Sequence, residues 1–491
     1  MAVHYLNYEK KSTLNQGLLT PIGCIEVLPG DDMRHKVDAL VRTQPLLAPV
    51  FHSAQVKICT FFVPARLCWD GWEDFITGGP DGTDDSVPPF IDLSGNAPDV
   101  GSLFDHLGVP VDCEQQVSAL PLRAYNLVYN EYFRDQDLID PVTISTGSGE
   151  DTTTNTNILS AAWQKDYFTS ARPDTQKGDD VEISLTGNAS ISRIDNAPST
   201  KAYEAGTNTL LTTGSLDLKA GGEIDATSSD TLSFDVSAGH EVDLDDVSAV
   251  TVNDLRLATA LQRYKENMLR HGSRYVERLQ QAFGVRNLDA RLNRPEYLGG
   301  GSNTIQFSEI IQSAPSTNDT SDESVGTLKG HGIGVTSANR YRRKVPEYGF
   351  VLSFMIIRPK TAYQQGLHKM WSRQTKEEFF QPELQHIGMQ AILNKELKSD
   401  HADPDGVFGY QQRYDEYRYM FDQVSGEFRD TLDFWHMARK FGTDPALNQD
   451  FVECEGVDRP FATDADQFQV RSFHKIKMRR KVDATGTPYV Y

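Results

Sequence analysis

Few side chains in this sequence stand at spacings that could do chemistry. Glu383 and His386 have the Glu-x-x-His spacing of half a di-metal carboxylate site, in which one helix face presents both ligands. Such a site needs a second copy of the pair and the sequence has none, so a hydrogen-bonded surface histidine fits better. The run Gly330 to Gly334, GHGIG, is rich enough in glycine to approach a phosphate. No Lys-Ser or Lys-Thr follows it, and no strand-then-helix pattern surrounds it. Asp403-Pro-Asp405-Gly406 and Asp81-Gly-Thr-Asp84 hold fragments of a calcium loop without the full series of oxygen ligands, and read more simply as turns. Five cysteines (Cys24, Cys59, Cys68, Cys113 and Cys454) are scattered with no C-x-x-C pair, which fits reduced thiols and neither a zinc ribbon nor a disulfide framework. G-x-S-x-G and H-E-x-x-H are absent. No cofactor, no metal and no catalytic residue is expected.

What remains is charge, and it is polarised. The chain of 491 residues carries a net charge of -21, which spread evenly would argue against nucleic-acid binding. Between Asp179 and Val250, however, 14 acids stand against 3 bases, so about half the deficit sits there. From Arg256 to Arg294 nine Lys and Arg face three acids. The segment RSFHKIKMRRK carries Arg471, Lys475, Lys477, Arg479, Arg480 and Lys481 with no acid at all. Strand alternation puts several of these on one side, for which nucleic-acid phosphate is a natural counter-charge. A solvated edge strand that uses Lys and Arg against aggregation accounts for them equally well. For Arg263, Arg270, Arg274 and Arg278, salt bridges to acidic loops of a neighbouring molecule come first and DNA second. Trp69, Trp72, Trp371 and Trp435 could stack unpaired bases, but read first as core or interface anchors.

The elements that must position these groups are mostly strands. LLTPIGCIEVLPG, HKVDALVRTQP and AQVKICTFFVP are β-branched, partly alternating and punctuated by Pro and Gly. GFVLSFMIIRP reads as a buried strand from its near-continuous apolar run, and QVRSFHKIKMRRK as a strand with a cationic side. LFDHLGVP and LPLRAYNLVYNEYFRDQD are short helices, the second with Leu122, Tyr125 and Tyr129 along one side. The stretch from Asn253 opens as an amphipathic helix, with Leu257, Leu261, Tyr264 and Met268 at helical spacing and a capping box of Thr251 and Asp254. It then enters RLNRPEYLGGG, where Pro295 and the glycines force an irregular, extended path. WDGWEDFITGGPDGTDDSVPPFIDLSG reads as a long irregular loop, and Ser145 to Asn157, STGSGEDTTTNTN, as an exposed linker. Residues 179–250, with only Tyr203 and Phe234 as aromatics, read as an acidic, β-rich insertion into a parent domain formed by 1–178 and 251–491. The longest apolar run, Phe350 to Ile357, is far short of the ~20 residues a membrane span needs, and the N-terminus has no apolar leader region. No membrane insertion is expected.

Many of these phrases, in this order, resemble the major capsid protein of the Microviridae, the small single-stranded DNA phages, and especially its gokushovirus-like branch. The wording that carries the resemblance includes LLTPIGCIEVLPGD, HKVDALVRTQPLLAPVFH, FFVPARLCWDGWEDFITGG, KDYFTSARPDTQKG, RLNRPEYLGGG, EYGFVLSFMIIRPKTAYQQGLHKMWSR and LDFWHMARKF. It covers most of the chain outside 179–250, and departs at His271-Gly272, where relatives often have a glycine pair. The resemblance implies a mainly β fold, a viral jelly-roll β-barrel of about eight strands with long loops, some helices and a large surface insertion. It implies a structural role, an icosahedral homo-oligomer around circular single-stranded DNA, and no enzyme activity. A small basic packaging protein, a scaffolding protein and a host-cell receptor would be partners. The setting would be a virion assembled in the bacterial cytoplasm, with the insertion projecting at threefold axes. Arg294 and Tyr297, with the helix arginines and the four tryptophans, become candidates for contacts between subunits. The competing reading is a carbohydrate-binding or hydrolytic β-sandwich protein, which would need a paired carboxylate site or an exposed aromatic platform.

Overall fold

The computed structural model describes residues 2–80, 83–179, 181, 293–311, 313 and 328–485, with helix Val252–Arg270 and six short strands between 190 and 243. The chain forms two compact units, one of Met1–Thr175 with Met268–Tyr491 and one of Gln176–Asn267.

The larger unit is built on one curled antiparallel sheet. In chain order its strands are β1 (Ala2–Tyr5), β2 (Tyr8–Leu14), β3 (Thr20–Val27), β4 (Asp32–Thr43), β5 (Ala54–Pro64), β6 (Glu296–Ile311), β7 (Leu328–Ser337), β8 (Tyr341–Lys344), β9 (Gly349–Pro359) and β10 (Phe468–Arg480). The pairing runs β1-β10-β4-β7-β6-β5-β9-β3, with β2 also on β10 and β8 also on β4. Every phrase read as a strand in this unit is one. The long β6 joins the two halves of the sheet: Glu296 to Ile305 pair with β5, and Gln306 to Ile311 pair with β7. The path expected to be irregular is thus regular, apart from one register shift between Tyr297 and Gly299. Its glycines serve close approach: a Cβ on Gly300 would stand 2.3 Å from the Ile58 carbonyl oxygen, and one on Gly301 2.3 Å from that of Ser337. GHGIG lies in β7, hydrogen-bonded as extended strand to both neighbours.

Inside the curl, Val37, Val41, Val56, Ile58, Met355, Ile357, Phe468 and Val470 meet in one buried cluster. Both sheet halves face it, which is the jelly-roll architecture that the sequence implied. The outer side of β5 and β9 is covered in turn, because Phe61, Leu352, Phe354 and Ile356 pack on Leu122 and Tyr125 of α3 (Leu120–Val128) and on Tyr129 of the turn that follows it. Coverage of both faces explains the near-continuous apolar run of β9, in which Ser353 hydrogen-bonds with Thr60 across the strands. A third core, of Tyr167, Phe168, Tyr363, Phe408 and Phe451, is assembled from connecting segments.

The interior also holds a polar chain. The Tyr341 hydroxyl is 2.7 Å from His35 Nδ1, His35 Nε2 is 3.1 Å from His474 Nδ1, and His474 Nε2 is 3.1 Å from the Ile22 carbonyl. That carbonyl can only accept, so His474 carries a proton on Nε2. With burial holding both rings neutral, His474 accepts at Nδ1, and His35 donates from Nε2 and accepts from Tyr341. Burial lowers His35 to about 3, with the nearby His474 adding to the effect. Burial likewise lowers His474 to about 4, with Lys10 contributing. Tyr8 stacks on His474 at 4.4 Å, over Gly23, where a Cβ would lie 2.5 Å from the imidazole.

Two segments differ from their expected character. Within WDGWEDFITGG, residues Trp72–Thr77 form a helix, α1. The segment with linker composition, Ser145 to Asn157, is a bound loop. Its Asp151 is buried against Arg123 of α3 at 2.7 Å, with side chains 0% and 1% exposed. Arg123 also donates to the Cys68 and Gly147 carbonyls, and Asp151 accepts from Thr153 and Thr154. Serines and threonines that composition assigns to solvent instead satisfy a buried charge. Burial raises the Asp151 pKa, but hydrogen bonds from Thr154 and Arg123 outweigh it and hold the carboxyl below its ordinary value.

The smaller unit contains three nested antiparallel pairs: Ser190–Arg193 with His240–Asp243, Ala202–Glu204 with Leu232–Phe234, and Leu216–Leu218 with Ile224–Ala226. TLLTTGSLDL and TLSFDVS each supply one strand; most of VEISL lies outside the described residues. Helix α4 (Val252–Arg270) begins as expected, while Thr251 of the expected cap lies outside the described residues. Leu257, Leu261 and Tyr264 are exposed along it.

Two outcomes follow from the buried polar groups. A histidine whose folded pKa is depressed keeps its full contribution above the unfolded value near 6.5 and loses it as pH falls toward the folded value. The melting temperature of the free subunit should therefore drop as pH falls from 6.5 to 4, by the equivalent of a few kcal/mol, and His474→Gln should flatten that profile. Arg123→Met strands a buried carboxylate and should lower the urea midpoint by the equivalent of about 3–5 kcal/mol. Lys440→Met, which breaks the exposed pair with Asp433, should leave it nearly unchanged.

Candidate nucleic-acid and assembly surfaces

The six cations of the C-terminal segment divide three ways. In β10 burial alternates without a break through Met478: Phe468, Val470, Ser472, His474, Ile476 and Met478 point inward. Arg471, Lys475, Lys477 and Arg479 therefore share the outer face with Gln469 and Phe473. Arg480 falls on the inward parity and pairs at 2.6 Å with Asp31, a buried carboxylate of the β3–β4 turn. Lys481 is exposed just past the strand. The edge-strand reading fails, because β10 is hydrogen-bonded to β4 on one side and to β1 and β2 on the other.

Neighbouring strands extend the same surface in register. Lys477 stands between Tyr5 and Arg34, and Arg342 lies beyond Arg34; Arg479 stands between Val3 and Asp32, with Lys344 beyond. Lys475 pairs with Lys36, and Arg471 lies between Lys11 and Leu40. On β1, β2, β4, β8 and β10 this face presents Lys11, Arg34, Lys36, Arg42, Arg342, Lys344, Arg471, Lys475, Lys477 and Arg479 against Glu9, Asp32 and Asp38. Sequence reasoning found only the β10 share. The signal for the rest was the alternating DMRHKVDALVRT, in which Arg34, Lys36 and Arg42 fall on the parity opposite His35, Val37 and Val41.

The three carboxylates are all engaged. Glu9 takes a two-pronged hydrogen bond from Arg471 at 2.7 Å, and Asp32 one from Arg342. Asp38 receives Lys36 at 2.8 Å and Lys475 at 2.9 Å. Partial burial raises the Asp38 pKa, but hydrogen bonds from Lys36, Ser337 and Lys475 outweigh it and hold the group well below the usual carboxylate range. Arg34, Arg42, Lys344, Lys477 and Arg479 have no carboxylate within 4 Å among the described residues. A cleft of about 730 Å³ opens at one end of the face, between Lys11, Arg42 and Arg471 on the sheet and Val100 and Asp105, the latter in helix α2 (Leu103–Leu107). Such a surface offers several cations to a polyanion with few ion pairs to break first.

The candidate subunit contacts scatter. Trp69 is wholly buried and donates its indole N–H to Ser148, and Trp72 packs beside it, so both anchor the chain's own core. Trp435 is half-buried against Phe51, at 5.3 Å between ring centres. Tyr297 is exposed, its ring 5.4 Å from Phe61, and Arg294 is half-buried. Arg263 is exposed and Arg270 half-buried on α4, while Arg274 and Arg278 lie outside the described residues. Trp371, an expected anchor, is 72% exposed, and Met370, Phe379, Phe380, Tyr417 and Met420 are exposed as well. The Arg373 guanidinium lies 4.3 Å from the Tyr417 ring centre and is held at 3.0 Å by buried Glu416. Glu383 and His386 are exposed, and Asp403 to Gly406 form a turn closed on Asn394 and Lys395. No helix of the described residues is long and apolar enough to cross a membrane.

A surface of this kind fits a protein that works by contact, and comparison with known proteins agrees. The sequence matches the capsid protein (F protein) family over residues 2–490. It is 38% identical to capsid protein VP1 of Bdellovibrio phage phiMH2K, covering 91% of this chain and 86% of the relative. It is 33% identical to capsid protein VP1 of Chlamydia phage 1, over 92% and 89% respectively, and 29% identical to that of Spiroplasma virus 4, over 92% and 87%. The chain belongs to the Phage F capsid protein family, alongside gokushovirus-like Microviridae, and its role is that of a structural protein of the virion rather than an enzyme.

Proposed function

We propose that this chain is the major subunit of an icosahedral shell, assembled from copies of itself around circular single-stranded DNA in the bacterial cytoplasm. The observation that carries the DNA half of this reading is the outer face of β1, β2, β4, β8 and β10, where ten cations face three engaged carboxylates. Polyanionic phosphate answers that surplus, and releases counterions when it binds. Exposed Trp371, Phe379, Phe380, Tyr417 and Met420, with the open side of α4, supply apolar area that a neighbouring copy would cover. Arg263, Arg270, Arg274, Arg278, Arg294, Tyr297 and Trp435 belong to the same assembly role. A small basic packaging protein and a scaffolding protein would complete the assembly. The acidic insertion, residues 179–250, would project outward, away from phosphate that it repels, and would be the part that meets a host-cell receptor.

Expression alone and together with the neighbouring phage genes, followed by sedimentation and electron microscopy, tests the shell directly. Closed particles, or symmetric oligomers that convert to particles with partners, are expected; a monomer under every condition would overturn the proposal. Deleting residues 179–250 should leave assembly intact and reduce adsorption to cells.

For the DNA face, Lys477→Glu and Arg479→Glu should weaken binding of the subunit to single-stranded DNA. The slope of log K against log salt should fall by about 0.7 for each phosphate that is no longer neutralised; an unchanged slope would remove these residues from the interface. Trp371→Ala should leave melting of the free subunit unchanged, within about 0.5 kcal/mol, while raising the concentration needed for assembly.

A further inference from the structure

The cationic face also carries aromatic rings. Tyr5, 68% exposed, is the direct cross-strand partner of Lys477, whose ammonium lies 5.3 Å from the ring centre. Phe473 stands between Arg471 and Lys475 on the same side of β10, with the Lys475 ammonium 5.5 Å from its ring centre. A surface that only attracts phosphate has no use for rings in this lattice. We propose that this face is built for unpaired nucleotides, with Tyr5 and Phe473 as platforms on which bases stack while the adjoining cations hold the phosphates. This deepens the reading of the face as a DNA-binding surface and rests on it.

The physical argument has three parts. First, a lysine poised over a ring marks a place where cation and aromatic are presented together. A base laid on the ring displaces the ammonium toward the phosphate of the same strand, so ring and cation both keep a partner. Second, Phe473 and Lys477 are four residues apart, about 13 Å along the strand. Phe473 and the ring beside Lys477 therefore serve separate bases rather than clamp one. Third, the carboxylates flanking Phe473, Glu9 and Asp38, are bound to Arg471, Lys36 and Lys475, which mutes the repulsion that they would exert on an approaching strand. In a duplex the bases are already paired and stacked, so the rings can reach only backbone. The face should therefore distinguish strands that expose bases from strands that do not, whatever their phosphate charge.

The test compares three labelled probes of equal length at one salt concentration: oligothymidylate, an abasic deoxyribose-phosphate strand, and a duplex. Binding to the full-length protein is read by fluorescence anisotropy. The expected result is that oligothymidylate binds about tenfold more tightly than the abasic strand. The double variant Tyr5→Ala with Phe473→Ala should reduce that ratio to near one without changing the salt slope, and Tyr5→Trp in place of the alanine should restore part of it. Because Phe473 is half-buried, Tyr5→Ala by itself is the second variant, expected to reduce the ratio part of the way in a protein with unchanged melting. Equal binding of oligothymidylate and the abasic strand by the natural protein would overturn the stacking role while leaving the phosphate interaction standing. So would discrimination that survives both alanines. No salt-dependent binding to any probe would overturn the DNA-binding reading and the stacking role together.

Discussion

The position of β10 between β4 and the two N-terminal strands is the constraint on which most else depends. A strand hydrogen-bonded on both sides cannot rotate its faces, so a single alternation of residue types is turned into two different environments. Inward go Val470, Ile476 and Met478 with His474; outward go Arg471, Lys475, Lys477 and Arg479. A slip of one residue would bury four cations and expose the apolar set. The same pairing brings the first and last strands of a long chain side by side. The core and the charged surface are thus two sides of one set of backbone hydrogen bonds.

How much of this was legible in the sequence depended on whether a local pattern was sufficient. Strand β9 could be read from its apolar run because both faces are covered, and β10 from its alternation because only one is. Tyr125 and Tyr129 could be placed on the buried side of α3 and the turn that follows it by spacing alone. The loop around Asp151 could not, since Ser, Thr and Asp have the same composition whether they meet water or a buried guanidinium. Only the arrival of Arg123, 28 residues earlier in the chain, decides it. The cationic face was half visible for a similar reason: β4 carries its share at alternate positions with no run of charge, and register across strands is not a local property. Trp371 was named as an anchor, but the exposure of Met370, Phe379, Phe380 and Met420 was missed, because exposure of an apolar residue has no signature in the sequence.

The conflict between a strongly acidic chain and a nucleic-acid interface resolves in space rather than in sum. The net charge of -21 includes the acid-rich stretch 179–250, which falls within the smaller compact unit, Gln176–Asn267. On the parent sheet the local sign is reversed, and the few carboxylates present serve to hold Arg471, Lys475 and Arg342 in place. Exposed ion pairs of this kind contribute little to stability. Their effect is to fix where the donors stand.

The nesting of the three strand pairs in the insertion has a consequence for how the chain could change length. Once Ser190–Arg193 is paired with His240–Asp243, everything between Arg193 and His240 is a closed loop as far as the rest of the polypeptide is concerned. The entropy of closing a loop grows only with the logarithm of its length. Residues added or removed inside the innermost pair, Leu216–Leu218 with Ile224–Ala226, therefore alter that closure term by little and disturb no register outside that pair. Each outer pair insulates what lies outside it from events further in. This is the geometry of a segment free to vary in size and sequence while the pairs around it stay fixed.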